Sequence, residues 1–512
     1  MYIEPNSTIK LITQCPLDAS YENTLWFESY NDQTNYFLNT LYGYTFTKQS
    51  YQRVRKGVIR IAKQAEEMYD CNYLMFRNVS FGSKWFYAFI DKIEYVNNVT
   101  SEITYTIDVL QTWHFDYSME QCFVEREHSV TDEIGDNIVD EQLDTGDYVS
   151  EGIDYYPTSQ LQDPYQLIIW ATFDNNYDNV GGYHEITGGN ELFSGLWPNS
   201  FPLTHQGISD AITWMSGIPA IKLQGIVTIQ ILPYNAGSPA LTLNYNKKET
   251  NLERTGGYVK NKKLYTYPYN FLYVTNNHGK SANYRYEFFS TSDCRFTIFC
   301  DMNPNATELL IPKYYKGAGE NYDELLELNG FPQCAYNVDS YKAWLAQNAS
   351  SIVLSSLGGA AGLASLIPSP ASTIAIIGAI RTELQGIIHS MMPPQAKGNQ
   401  ANMTLVALDK MKYGFMRKHI TKDYATIIDD YFTMYGYATK KVKYPNRSSR
   451  PEWNYVKTIG CKIRGGVPND DATAIEALYD RGIRFWKNPA HIGNYVFDNS
   501  PVVQNNPSIP SE

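Results

Sequence analysis

The side chains that could do chemistry are present in this chain, but few are spaced to do it together. His184 and Glu185 form a single His-Glu step. The second histidine four residues on, which would set two imidazoles on one helix face around zinc, is missing. There is no GxSxG elbow to expose a serine nucleophile and no Walker-type loop. Gly358, Gly359 and Gly362 match a phosphate-binding loop in glycine content alone, with no Lys and no Ser/Thr in register. Carboxylate pairs for glycan cleavage need only meet in space, so linear spacing leaves that reaction open. The seven cysteines are odd in number and include no CxxC step. That is the pattern of free, buried thiols from a reducing compartment, not of a disulfide framework or a zinc site. The expectation is a protein that is not an enzyme and carries no cofactor.

One stretch concentrates carboxylates. Residues 125–163 hold Glu127, Asp132, Glu133, Asp136, Asp140, Glu141, Asp144, Asp147, Glu151 and Asp154 against almost no basic residues. A calcium loop would need alternating ligands, a central glycine and a terminal glutamate, and no segment here has that order. The stretch reads as a solvated, loop-rich face, and no metal is expected.

The chain's most distinctive element carries no ionisable group at all. Residues 343–380 run for 38 positions without Asp, Glu, Lys, Arg or His. Pro368 and Pro370 divide the run, because each lacks an N–H and its ring clashes with a preceding helical turn. The first arm, about 348–367, is apolar or small on every face: Ile352, Val353, Leu354, Leu357, Gly358, Gly359, Gly362, Leu363, Leu366 and Ile367. Its Gly358–Gly362 spacing would let another helix approach closely. The second arm can start with Ser369 as N-cap and Pro370 at the first helical position, and Pro393-Pro394 stops it. It carries Ile374, Ile376, Ile377, Ile380, Leu384, Ile387, Ile388 and Met391, with Arg381, Glu383 and His389 among them. At ~1.5 Å per residue each arm reaches roughly 30 Å, about the hydrocarbon thickness of a bilayer. Two readings stand: a buried helical hairpin in a large core, or a membrane-active hairpin hidden until needed. The first arm lacks a polar face, and Gly and Ser fill cores poorly. Both points favour the second reading.

The elements around this run are mostly strands. Tyrosine occurs 42 times and aromatics make up 14% of the chain, a composition that suits β-sheet. Residues 84–114 read as a long hairpin turning at Asn97-Asn98, with Ile103, Tyr105, Ile107 and Val109 on one face. Glu102, Thr104, Thr106 and Asp108 fall on the other, wet face. Residues 166–330 read as an all-β insertion with long loops. Residues 420–435 carry a helical stripe closed by Gly436, and 437–459 are basic and extended. A short helix is expected at about 471–479. The fold class expected is mainly β: barrel or sandwich domains with an inserted β-rich domain and a long apolar loop of two short helical arms. The corresponding division is 1–130, 131–335, 336–400 and 401–512. With 42 basic against 54 acidic residues the net charge is −12, which excludes a broadly basic nucleic-acid binder. It permits a conduit whose wall repels phosphate. The first residues show no basic-then-apolar leader, so a secretory route is not expected.

Four segments resemble a known family. They are residues 85–96 (WFYAFIDKIEYV), 107–128 (IDVLQTWHFDYSMEQCFVEREH), 435–458 (YGYATKKVKYPNRSSRPEWNYVKT) and 482–495 (GIRFWKNPAHIGNY). With the apolar run in its place, they follow the order of the tail knob, or distal tail tube, proteins of small short-tailed bacteriophages of Gram-positive bacteria, podoviruses of the Picovirinae type. The resemblance does not extend over residues 131–330. It implies a homo-oligomeric, hexameric tube at the distal tip of the virion tail, assembled in the host cytoplasm and joined to other tail proteins of the lower collar and proximal tube. Double-stranded DNA would pass through it without sequence specificity. It also implies that a hydrophobic loop from each subunit, here about 348–392, plugs the lumen and then perforates the host cytoplasmic membrane. A tail-tip cell-wall hydrolase and a receptor-binding knob with a purely structural hairpin are the rival readings.

Overall fold

The computed structural model describes residues 6–49, 57–79, 82–156, 166–173, 196–202, 205–219, 222–232, 240–245, 251–300, 306–329, 331, 333–335 and 412–499. The chain forms two compact units. Unit 1 is Met1–Asp147, Asn251–Tyr269 and Ile420–Glu512; unit 2 is Tyr148–Thr250 and Asn270–His419. Residues 131–147 and 251–269, expected within the insertion, therefore sit in unit 1. Both units are mainly β, as the aromatic and β-branched composition predicts.

Unit 1 is built on a six-stranded antiparallel sheet. Its order is Gly43–Gln49, Ser7–Thr13, Cys71–Asn78, Phe86–Asn97, Thr100–Ile107 and Val58–Ile61. The central Cys71–Asn78 strand is apolar on both faces. Leu74 and Phe76 pack with Ile9, Leu11, Ile59, Ile61 and Ile103, while Tyr73 and Met75 pack with Phe37, Phe89, Trp453 and Trp486. The hairpin forms as expected, from Ala88 opposite Ile107 to Asn97 opposite Thr100.

The hairpin's second strand ends at Ile107, well short of the expected 114, and Asp108 is not on a wet face. It is 1% exposed. Its carboxylate caps the short Val109–Thr112 helix by accepting from the Gln111 amide at 3.1 Å, and it accepts the Tyr73 hydroxyl at 2.9 Å. Burial pushes the Asp108 carboxyl up to about 6, and those donors pull the other way. A capping aspartate and a wet-face aspartate look alike in an alternating string.

A second, five-stranded sheet joins distant parts of the chain, in the order Asn23–Leu25, Ile483–Trp486, Trp453–Ile459, Cys122–Glu127 and Tyr437–Lys443. Its one parallel pair sets Asn23 beside Arg484, and the Trp486 indole N–H donates to the Asn23 side chain at 2.8 Å. The Lys422–Tyr435 helix is capped by the Thr421 hydroxyl and ends at Gly436. Of its apolar residues, Ile428 and Phe432 are buried but Ile427 is 64% exposed. Buried Asp429 takes that inward place instead, accepting from Arg254 and from the Lys260 and Asn261 amides. The last helix, Asn469–Arg481, is longer than expected at both ends.

Among the described residues, unit 2 has three four-stranded sheets over one aromatic core that includes Trp170, Tyr284, Tyr286, Phe296, Tyr315, Tyr413 and Phe415. It is not all-β. His205–Gly217 is a helix, burying Ala211 and Met215 at helical spacing with Ile218 just beyond its end. The strand Ser281–Tyr284 is followed by the 3-10 turn Tyr286–Phe288. Among the described residues six cysteines are buried and outside any disulfide, as expected: Cys15, Cys71, Cys122, Cys294, Cys300 and Cys461.

Candidate functional site

The twenty apolar and turn residues singled out from Ile352 to Met391 lie outside the described residues, as do the two expected arms. What the structure describes is the frame on either side. Upstream, Gln333–Ala335 pairs with Ile226–Leu232, setting Gln333 opposite Gln230 and Ala335 opposite Thr228. Downstream, Tyr413–Ile420 lies between Tyr148–Tyr156 and Asn270–Thr275 in a different sheet of unit 2. The described strands on either side, Gln333–Ala335 and Tyr413–Ile420, thus belong to two different sheets. Among the described residues no helix is long and apolar enough to cross a membrane.

The downstream strand is fixed at its first residues. The Asn277 side chain donates to the Lys412 carbonyl at 2.6 Å. Asn277 holds that position in a left-handed turn, φ 56°, which Asn tolerates. The same turn is braced by Asn276, whose side chain accepts from the His278 and Lys280 amides and donates to the Glu327 carbonyl. At Gly414 an added Cβ would meet Ile153 and Thr275 methyls at 3.2 Å, so the neighbouring strands close over a residue without a side chain. Tyr413 is fully buried, and its hydroxyl donates to the Glu308 carbonyl at 3.3 Å.

Glu308 is the unusual group here. It opens the Glu308–Lys313 strand, opposite Cys300 and Leu328, and is 4% exposed within the aromatic core. Burial pushes its carboxyl up to about 8, with the Tyr413 hydroxyl pulling it down. At neutral pH the group is therefore mostly a neutral acid. Burial, with the Glu308 carboxyl behind it, raises the Tyr413 phenol as well. Removing that hydroxyl in Tyr413→Phe is expected to cost about 1 kcal/mol. It should also move the Glu308 titration further up, which an unfolding series against pH would record as a later midpoint. An unchanged midpoint would mean that the phenol does not reach the carboxyl.

The acid-rich stretch faces solvent as expected at Glu133, Asp136, Asp140, Asp144, Asp147 and Glu151, but not at three other positions. Glu127, Asp132 and Glu141 are buried, at 0, 7 and 8% exposure. Glu127 accepts from Lys443 and from the Asn446 amide at 2.7 Å. Asp132 accepts the Tyr437 hydroxyl at 2.6 Å. Glu141 binds Arg126 and the buried Lys263 ammonium at 2.5 Å. These carboxylates clamp unit 1 together rather than face solvent, because their partners lie up to more than 300 residues away in sequence. Arg126 is the one near partner, and it sits within the stretch itself. No group of three or more His, Cys, Asp or Glu positioned for a metal occurs among the described residues. His128 is a structural histidine: Nδ1 accepts the Tyr455 amide at 2.7 Å and Nε2 donates to the Thr433 carbonyl at 3.0 Å. Burial, then the nearby Arg450, keeps it neutral.

Comparison with known proteins agrees with this architecture. Residues 239–500 match the family model for "Bacillus phage phi29, Tail knob protein gp9, C-terminal domain", and residues 5–118 match that for "Caudoviral major tail protein N-terminus". The tail knob protein gp9 of Bacillus phage PZA is 24% identical to this chain, covering 96% of it and 98% of the relative. Those of phages phi29 and B103 are 24% and 23% identical with the same coverage. The structure of the bacteriophage C1 tail knob protein gp12 superimposes with a TM-score of 0.59 at 16% identity, over 97% of this chain and all of that one, a likeness of fold. With the first family model spanning more than half of its 512 residues, the chain belongs to the tail knob protein gp9 family and is a structural protein of a phage tail.

Proposed function

We propose that this protein forms the distal tube of the tail as a hexameric ring, conducts DNA, and penetrates the host membrane with residues 348–392 during genome ejection. In this reading residues 1–130 and 401–512 build the tube and 336–400 form the plug. The observation that carries the membrane step is the 38-residue run without an ionisable group in a chain that is otherwise polar, with mean hydropathy −0.38. Ring symmetry brings one such hairpin per subunit to a common axis, where their apolar faces bury one another before release. In hydrocarbon each arm gains roughly 25 cal/mol per Å² of apolar surface. Arg381, Glu383 and His389 are costly at the bilayer centre and belong at the wet mouth of a pore. The braced Lys412–Gly414 end supports a segment that moves while its anchor stays. The net charge of −12 supports a wall along which DNA slides without sticking.

Purified full-length protein is expected to release dye from liposomes, after an acid or heat trigger if the segment is stored. A variant lacking residues 350–392 should keep the rings seen by electron microscopy and lose the leakage. A variant that no longer assembles would instead make the segment structural core. Muramidase activity from the purified protein would favour a wall hydrolase.

A further inference from the structure

We propose that Cys122 and Cys461 are an oxidative modification site, two thiols that a small-molecule disulfide converts to a crosslink between the first and last segments of unit 1. Cys122 opens the Cys122–Glu127 strand, and Cys461 lies just beyond the Trp453–Ile459 strand that pairs with it. The same two chains pair again on the other side of the cysteines, as Tyr117–Met119 with Ile463–Gly465. Ile459 stands opposite Phe123 and Ile463 opposite Met119, and between them the Glu120 amide donates to the Lys462 carbonyl at 2.9 Å. One register therefore runs through the corner, with Gly460 opposite Cys122 and Cys461 one step along. Chains ~4.8 Å apart with ~3.3 Å per residue put such diagonal Cα atoms roughly 6 Å apart, within the ~4.4–6.8 Å that a disulfide spans.

Strand alternation alone would send these two side chains to opposite faces. Gly460 breaks the alternation, in a left-handed conformation at φ 66°. Asp480 holds that turn: its carboxylate accepts the Thr458 hydroxyl at 2.7 Å, the Gly460 amide at 3.1 Å and the Cys461 amide at 3.0 Å. Both cysteines are buried, and the Cys461 thiol donates to the Cys122 sulfur. Burial raises both thiols, Cys461 to about 12, while the bond from Cys461 pulls Cys122 back and makes it the readier nucleophile. The Cys122 thiolate attacks one sulfur of an oxidant such as oxidised glutathione and expels one glutathione thiolate. Cys461 then gives its proton to solvent, attacks the Cys122 sulfur and expels the second. The protein loses two hydrogens and the oxidant becomes two thiols. All of unit 2 lies in sequence between the two cysteines, and a crosslink closing so long a loop restricts the unfolded chain strongly. None of this depends on what residues 348–392 do.

The full chain, reduced and then held with oxidised glutathione under native conditions, would be acid-quenched, denatured, alkylated and digested for mass spectrometry. The expected product is a peptide pair joining Cys122 to Cys461, lighter by two hydrogens than its reduced parts and released by a reductant, with Cys15 and Cys71 still alkylated. Cys122 and Cys461 alkylated to the same extent as Cys15 and Cys71, or each carrying its own glutathione, overturns the proposal. Oxidation should also raise the guanidinium unfolding midpoint, and the rise should vanish in Cys461→Ala. No rise, or an equal rise in both proteins, overturns it as well. If the variant does not fold, the crosslink map of the unaltered chain decides.

Discussion

Replacing Glu308 with glutamine is expected to stabilise unit 2 at neutral pH, on the order of 3 kcal/mol at pH 7. Folding holds this carboxyl in an aromatic core and raises its pKa to about 8, whereas an exposed glutamate titrates at the ordinary value of 4.5. Between those two values the folded chain keeps a proton that the unfolded chain releases. The unfolded state binds fewer protons there, so stability is highest at and below the unfolded pKa and falls as pH rises towards 8. Above 8 both states are ionised and the loss is complete. Glu308→Gln keeps the shape, removes the titration and should flatten that slope. Urea unfolding from pH 4 to 9 measures it. A variant no more stable than the parent at pH 7, with the slope intact, would place the titrating group elsewhere.

Gly436→Ala should be strongly damaging to unit 1. The residue closes the Lys422–Tyr435 helix at φ 65° and ψ −151°, a region that glycine alone enters readily. Here the geometry is also enclosed: a Cβ would sit 2.2 Å from the Glu127 carbonyl oxygen and 2.5 Å from the His128 amide. Neither is a flexible side-chain tip, because both belong to the strand that pairs with Tyr437–Lys443 and its continuation. Backbone strain and overpacking together are expected to cost about 3–5 kcal/mol. Denaturant midpoints compare the two proteins, and a loss below about 1 kcal/mol would mean that the strand yields to the helix end.

Much of unit 1 could be read from its periodicities. The Phe86–Asn97 and Thr100–Ile107 hairpin, the Lys422–Tyr435 helix with its glycine stop and the extended 437–459 segment each carry a local signal, and local signals survive folding. What could not be read were residues whose meaning depends on distant partners. Asp108 looks like a wet-face residue until Tyr73 is known to reach it. Glu127, Asp132 and Glu141 look solvated until Lys443, Tyr437 and Lys263 arrive from the other end of the chain. The Glu308–Tyr413 contact joins two strands more than 100 residues apart, and neither residue is unusual in its own segment. The His205–Gly217 helix is a different kind of miss, since the Ala211, Met215 and Ile218 spacing was available and was submerged by the strand-rich text around it.

The central claim, that the uncharged segment leaves a protein environment for a lipid one, is tested most directly at Ile376. In assembled rings mixed with liposomes, Ile376 would be replaced by a photoreactive phenylalanine analogue and irradiated before and after an acid or heat trigger. The account predicts adducts to neighbouring subunits before the trigger and to lipid after it. Adducts to protein under both conditions, with none to lipid, would contradict it.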